Sequence, residues 1–207
     1  MHTLYTIGIG GGSGSGKSTI TRALRDLAGP DEVTILHLDW YFSFDTPPPT
    51  TKEEHAKANL DHPRHVDWKR AAQDIQALQE GRTITPPTHI LLENGEALEK
   101  ASAPLSPSTF LLVEGLHALT FPELVELYDF RIFVQTPVDV RVQRRLERDP
   151  NRTGQSAEEI QDQLEASVLP MHKQHIEPAA LDADLVVDGT QDPELLARQI
   201  RQEVLNT

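Results

Sequence analysis

A run of small residues, GIGGGSGSGKSTI at positions 8–20, sits between an apolar stretch and an amphipathic one. It limits the folds open to this chain more than any other feature. Gly11, four residues, then Gly16-Lys17-Ser18 complete the pattern G-x-x-x-x-G-K-[ST]. In such a turn the backbone itself must approach a ligand, and glycine adopts dihedrals that other residues resist. Successive N–H groups converge into an anion-binding hollow, and the N-terminus of the following helix adds unpaired donors and the positive end of its dipole. The pattern assigns phosphate contact to Gly11, Gly12, Ser13, Gly14, Ser15, Gly16, Lys17, Ser18 and Thr19. Lys17 would reach the terminal phosphates, and Ser18 would help hold Mg²⁺. The rival pattern G-x-G-x-x-G fails, because counted from Gly8 it ends on Ser13 and counted from Gly10 it ends on Ser15.

A phosphate loop needs a strand before it and a helix after it. LYTIGI (4–9) supplies the first, and Ile20, Ala23, Leu24 and Leu27, spaced i, i+3, i+4, i+7, supply the second. Further β-rich runs fall at 33–38, 110–113, 130–134 and 184–187. Helical spacing recurs between Asp67 and Gly81 and over 138–149, 157–168 and 193–205. The alternation predicts an α/β phosphate-loop NTPase fold, a mainly parallel five-stranded sheet with helices on both faces. Residues 43–66, with Pro47-Pro48-Pro49, read as an extended, mobile segment over the sheet edge. Residues 83–99 carry Asn94-Gly95 between apolar flanks, a hairpin insertion. The whole of 1–207 thus reads as one domain, with 43–66 on the acceptor side, the 83–99 hairpin, and an arginine lid over 140–155.

Composition narrows the chemistry. The net charge of −13 argues against a general nucleic-acid binder, so an anionic ligand must find a local positive site. With no cysteine, disulfides and thiolate metal sites are excluded. No apolar run is long enough to span a bilayer, and MHTLYTIGI has no signal-peptide pattern, which gives a cytoplasmic expectation and no membrane partner.

Asp39 follows the 33–38 strand and Glu114 follows FLLV. In open parallel sheets ligands bind beyond the carboxyl ends of the strands, so both carboxylates are expected to face the loop's crevice. One can take a proton from an attacking hydroxyl while another holds Mg²⁺. In VDVRVQRRLERDPNR (138–152), Arg141, Arg145, Arg148 and Arg152 recur at offsets of four, three and four. They form one helical stripe of like charge, which a solvated helix gains nothing from and a polyphosphate would reward. Pro150 leaves the position of Arg152 open.

These residues together resemble the uridine–cytidine kinase family, in a wider group with phosphoribulokinase. The resemblance runs through GGSGSGKST, LDWYF, NLDHPRHVD, VEGLHAL, FRIFVQTPVDVRVQRRLERD, VLPMHKQHIEP and ADLVVDG. It implies transfer of a phosphoryl group from ATP, with Mg²⁺, to a hydroxyl of a small molecule, a nucleoside first. Asp39 would be the general base and a metal neighbour, Glu114 a second metal-side carboxylate, and Ser18 the hydroxyl ligand. Asp61 and Arg145 would hold ribose hydroxyls, Arg145 also standing on the nucleotide side, and Arg148 would meet the transferred phosphate beside Lys17.

The chain departs from the family where the base is gripped. Thr88, His89, Ile90 and Leu91-Leu92-Glu93 replace an aromatic-Asp-aromatic run and its histidine, leaving His89 as the acceptor-side candidate there. Leu60 replaces an aromatic residue, and Arg152-Thr153-Gly154-Gln155 replaces E-R-G-R. Two alternatives therefore stand. One is a kinase for another hydroxylated metabolite, such as a sugar phosphate, a pantothenate-like acid or nicotinamide riboside. The other is a nucleotide-binding regulator with little activity. The resemblance also allows a homo-oligomer.

Overall fold

A computed structural model describes residues 4–43, 59–91, 97–101 and 103–205, with 88–91 and 97–101 given by backbone and pairing alone. Five strands form one parallel sheet in the order β2-β5-β1-β6-β7. They are β1 (Tyr5–Gly11), β2 (Val33–His37), β5 (Phe110–Glu114), β6 (Phe130–Gln135) and β7 (Leu185–Asp188). The remaining two, β3 (Pro87–Leu91) and β4 (Ala97–Ala101), pair with each other antiparallel as a separate ribbon. That ribbon fits the expected insertion, while its tip with Asn94-Gly95 lies outside the described residues.

The strands are near-continuous apolar runs because both faces are covered. On one face Ile20 and Leu24, with Leu196, Ala197 and Ile200, pack on Ile7, Ile9, Leu112, Ile132 and Val134. Those helices run Lys17–Ala28 and Pro193–Leu205. On the other face Ala71, Ile75 and Leu78 of the Trp68–Gln79 helix, with Leu124, cover Leu36, Leu111 and Val113. Asp67 caps the Trp68–Gln79 helix by accepting from the Arg70 N–H at 3.1 Å.

Two expected helices change shape. The one predicted over 138–149 runs Val138–Thr153, straight through Pro150, and ends at Gly154 with φ of +69°. Proline removes one N–H there, and the turn is held instead by the Thr153 hydroxyl donating to the Asp149 carbonyl at 3.0 Å. The one predicted over 157–168 is α-helical only over Ala157–Gln163. It then widens into a π-turn at Leu164–Val168 and, after Leu169–Met171, a second at His172–Ile176. Such widened turns re-aim the side chains that follow. Strand 33–38 also stops at His37, because Leu38–Tyr41 winds into a 3₁₀ turn that carries Asp39 off the end of the sheet.

Candidate active site

The loop expected from the sequence joins β1 to the Lys17–Ala28 helix. Gly14 and Gly16 have φ of +80° and +97°, conformations that an L side chain resists. Gly16 is the N-cap, and no side chain caps the helix, so the N–H groups of Lys17 and Ser18 are free for a ligand, while that of Thr19 donates to the Gly16 carbonyl at 3.0 Å. The carbonyl side of the loop is bound from behind. The Thr136 hydroxyl donates to the Ser15 carbonyl at 2.9 Å, and Arg144 donates to the carbonyls of Gly14 at 3.1 Å and Gly189 at 3.0 Å. Sequence reasoning missed Arg144 and Gly189; no periodicity links a helix residue to backbone atoms 130 positions away.

Two clefts meet at the loop. One, of about 710 Å³, is lined by Gly14, Gly16, Lys17, Ser18 and Thr19 and by Arg144, Arg148 and Arg152. Its far wall is Gly189–Pro193. The other, of about 240 Å³, holds Ser13, Lys17, Asp39 and His117 within walls that include Leu38, Phe42, Leu60, Val66 and Leu116. Lys17 lines both. A phosphate chain lying in the first cleft would therefore present its end to the second.

Strand register sets the carboxylates. Glu114 ends β5 opposite Ile9 of β1 and His37 of β2. The neighbouring imidazole consequently reaches it, His37 Nδ1 to Glu114 Oε1 at 2.5 Å. Ser18 Oγ donates to the same carboxylate at 3.1 and 3.2 Å. Burial by itself raises the Glu114 carboxyl, but the His37 bond, Lys17 and Ser18 outweigh it and hold the group below its ordinary value. His37 is a further residue that the sequence did not flag. Ser18, Glu114 and Asp39 offer hydroxyl and carboxylate oxygens, the donor type that Mg²⁺ takes.

Asp39 faces the open second cleft and is exposed to water there. Protein nonetheless surrounds the cleft on most sides, and this desolvation raises the Asp39 carboxyl; Lys17 pulls the other way and Glu114 adds to the rise. Asp61 is raised for the same first reason, with Arg145 and Lys17 opposing it. Its Oδ2 is enclosed with no partner among the described residues. An enclosed, unsatisfied acceptor is what a ligand hydroxyl would complete.

The arginine stripe is divided rather than shared. Only Arg148 and Arg152 of the four open onto the loop cleft. Arg145, expected on the nucleotide side, is buried instead, with Nε donating to Asp149 at 2.6 Å and its guanidinium 3.5 Å from the Gln163 side-chain Oε1. Arg141 is buried behind Gly12. The residues do lie on one helical stripe, but it extends about 16 Å along the axis, so each position meets a different neighbour. Arg148 also pairs with Asp149, whose carboxyl burial would raise and the two arginines hold down.

The segment bearing Asp61 is docked by histidine. His117 is 3% exposed and its Nε2 donates to the Asp61 carbonyl at 2.8 Å, with Thr120 Oγ1 3.2 Å from Nδ1. Burial lowers the His117 pKa to about 4, so the ring is neutral. The His62 and His175 rings meet tilted at 54°, their centroids 5.4 Å apart. Among the aromatic residues after β2, Tyr41 is buried with its hydroxyl on Asp74 at 2.7 Å, while Phe42 lines the second cleft and stacks on His65. His89 lies on β3, whose side chains are outside the described set, and residues 44–58 are not described.

The parallel sheet, the loop and the paired clefts define a phosphate-loop transferase for small molecules. Residues 6–195 match the model of the phosphoribulokinase / uridine kinase family. A uridine kinase of Halobacterium salinarum is 34% identical over 183 residues, 88% of this chain and 79% of that one. A uridine kinase of Serratia proteamaculans is 35% identical over 190 residues, 90% and 87% of the two chains. Solved structures share the fold. A Silicibacter protein provisionally named a fructose transport system kinase superposes with a TM-score of 0.71 at 19% identity, covering 89% of this chain and 90% of that one. Shikimate kinase of Acinetobacter baumannii gives 0.54 at 20% identity, covering 99% and 95%. The chain belongs to the phosphoribulokinase / uridine kinase family and is an ATP-dependent small-molecule kinase. No helix among the described residues is long and apolar enough to cross a membrane.

Proposed function

We propose that the chain moves the γ-phosphoryl group of ATP to a hydroxyl of a nucleoside, uridine or cytidine first. The observation that carries this reading is the meeting of the two clefts at Lys17, with Asp39 on the acceptor side. The triphosphate lies along the loop's free N–H groups, with Arg148 and Arg152 opposite. Lys17 holds the phosphate end where negative charge shifts during transfer. Mg²⁺, travelling with the phosphates, would be held by Ser18, Glu114 and Asp39 and would neutralise charge on the β- and γ-oxygens.

The acceptor hydroxyl enters the second cleft, and Asp39 takes its proton as the oxygen attacks. A carboxyl raised by its surroundings is a stronger base than an ordinary one. Asp61, with its unpartnered oxygen, and Arg145 beside it suit a vicinal pair of hydroxyls such as those of ribose. Gln163, in contact with Arg145, joins this group. The uridine kinases among the relatives support the nucleoside.

A second reading, transfer to another hydroxylated metabolite, is favoured by one observation. Among the described residues, Leu38, Phe42, Leu60, Val66 and Leu116 give the acceptor cleft apolar walls with few groups to read a base edge. An acceptor panel with ATP and Mg²⁺, read by mass gain of a phosphoryl group, separates the readings. Fastest turnover of uridine or cytidine supports the first. Fastest turnover of a sugar phosphate, pantothenate or nicotinamide riboside overturns it, and no acceptor at all supports a nucleotide-binding regulator.

A further inference from the structure

The largest unexplained polar feature outside the two clefts lies behind Gly12. Arg141 is 5% exposed, yet no described residue hydrogen-bonds its guanidinium, and its Nε is enclosed without a partner. His172 Nδ1 is enclosed and unpartnered beside it; a Cβ added at Gly12 would strike both side chains. Burial disfavours the charged guanidinium, and the exposed Glu177 carboxylate opposes that only in part and forms no hydrogen bond with it. Such a group persists where something else completes it. Both side chains line a third cleft of about 470 Å³, between the end of β6, the first turn of the Val138–Thr153 helix and the 169–180 segment. Phe133, Pro137 and Leu169 give it apolar walls, and Lys173 and Glu177 stand exposed on its lining.

We propose that this third cleft is a second ligand site, taking a small organic anion. Its carboxylate or phosphate-ester head meets Arg141 and His172, and its apolar body covers Phe133, Pro137 and Leu169. The guanidinium fork matches two oxygens of either head. His172, lowered to about 4 by burial and by the neighbouring Arg141, stays neutral near pH 7 and offers one hydrogen bond rather than a second charge. Lys173 attracts an anion and Glu177 opposes it, the more so for a doubly charged head. The site is distinct from the nucleotide cleft, whose arginines are Arg22, Arg144, Arg148 and Arg152, and touches the loop at Gly12.

The test is calorimetric titration of benzoate and, separately, phenyl phosphate into protein saturated with Mg²⁺ and a non-hydrolysable ATP analogue, so that the phosphate loop is already filled. The expected result is saturable binding of at least one probe, near one per chain, and it identifies which head the site prefers. Arg141→Met, which keeps the stem, weakens it about tenfold or more. Lys173→Glu, on an exposed residue, weakens it about threefold. No saturable binding of either probe up to about 10 mM, a range that reaches the millimolar affinities of weak ligands, overturns the proposal. So does affinity unchanged in the folded variants. Should Arg141→Met fail to fold by circular dichroism, Lys173→Glu decides alone: weaker binding supports the site, and parental affinity overturns it. None of these outcomes depends on the identity of the phosphate acceptor.

Discussion

The nucleotide side and the acceptor side of this site are built on opposite principles. The first is made of backbone: free N–H groups at a glycine-rich turn, with carbonyls tied down by Thr136 and Arg144 and with Arg148 and Arg152 on the same cleft. The second is made of side chains drawn from distant segments, Asp39 after β2, Asp61 docked by His117, and Arg145 with Gln163 from two helical segments. A backbone cradle recognises any polyphosphate, and its parts cannot be exchanged without changing the turn. A side-chain pocket can change its ligand one residue at a time. The difference explains why the phosphate loop follows the family pattern while the acceptor side departs from it at Leu60 and around His89.

The comparison can be broken at its joint. Lys17→Ala removes the residue common to both clefts and is expected to lower kcat/KM by about 10²–10³-fold in a coupled ADP-release assay. A loss below tenfold would mean that the clefts do not meet there. A smaller change separates the two sides. Asp61→Asn is expected to raise the acceptor KM about tenfold and leave the ATP KM within about twofold. Arg144→Ala frees the carbonyls of Gly14 and Gly189, and the reverse split is expected, ATP KM raised about fivefold with acceptor KM unmoved. If both variants shifted both constants equally, the division would be wrong.

A further effect concerns stability rather than turnover. His117 and His172 are both lowered to about 4 from an ordinary 6.5. The unfolded chain protonates these rings near 6.5 and the native chain only near 4, so their contribution is fully present above pH 6.5 and drains away as the pH falls toward 4. The buried His117 ring accounts for up to about 3 kcal/mol, and the more open His172 ring, screened by solvent, for less. In His117→Gln one of the two contributions is gone, and the urea midpoints at pH 7 and pH 5 should lie closer together than in the parent protein. Equal separations would contradict the assignment.

Local patterns carried most of the fold. The strand, glycine turn and amphipathic helix at 4–27 are contiguous, and apolar runs located all five sheet strands to within a residue or two. Features that depend on contact between distant residues stayed hidden. The π-turns at Leu164–Val168 and His172–Ile176 arise inside a stretch whose spacing is ordinary helix. Helical periodicity put Arg141, Arg145, Arg148 and Arg152 on one stripe, but it holds no information on what faces each level of that stripe. His37 on Glu114 and His117 on Asp61 follow from strand register and chain return, across 77 and 56 residues.

Asp39 tests the account most directly, because it alone is asked to act on the acceptor's proton while standing beside the phosphate end. Asp39→Asn should be measured twice, by calorimetric binding of an ATP analogue with Mg²⁺ and by phosphoryl mass gain on the best acceptor of the panel. Nucleotide binding within about threefold of the parent, with transfer slower by about 10²–10⁴-fold, is the result expected of a general base. Transfer at the parental rate would contradict it, and the two clefts would then need another explanation.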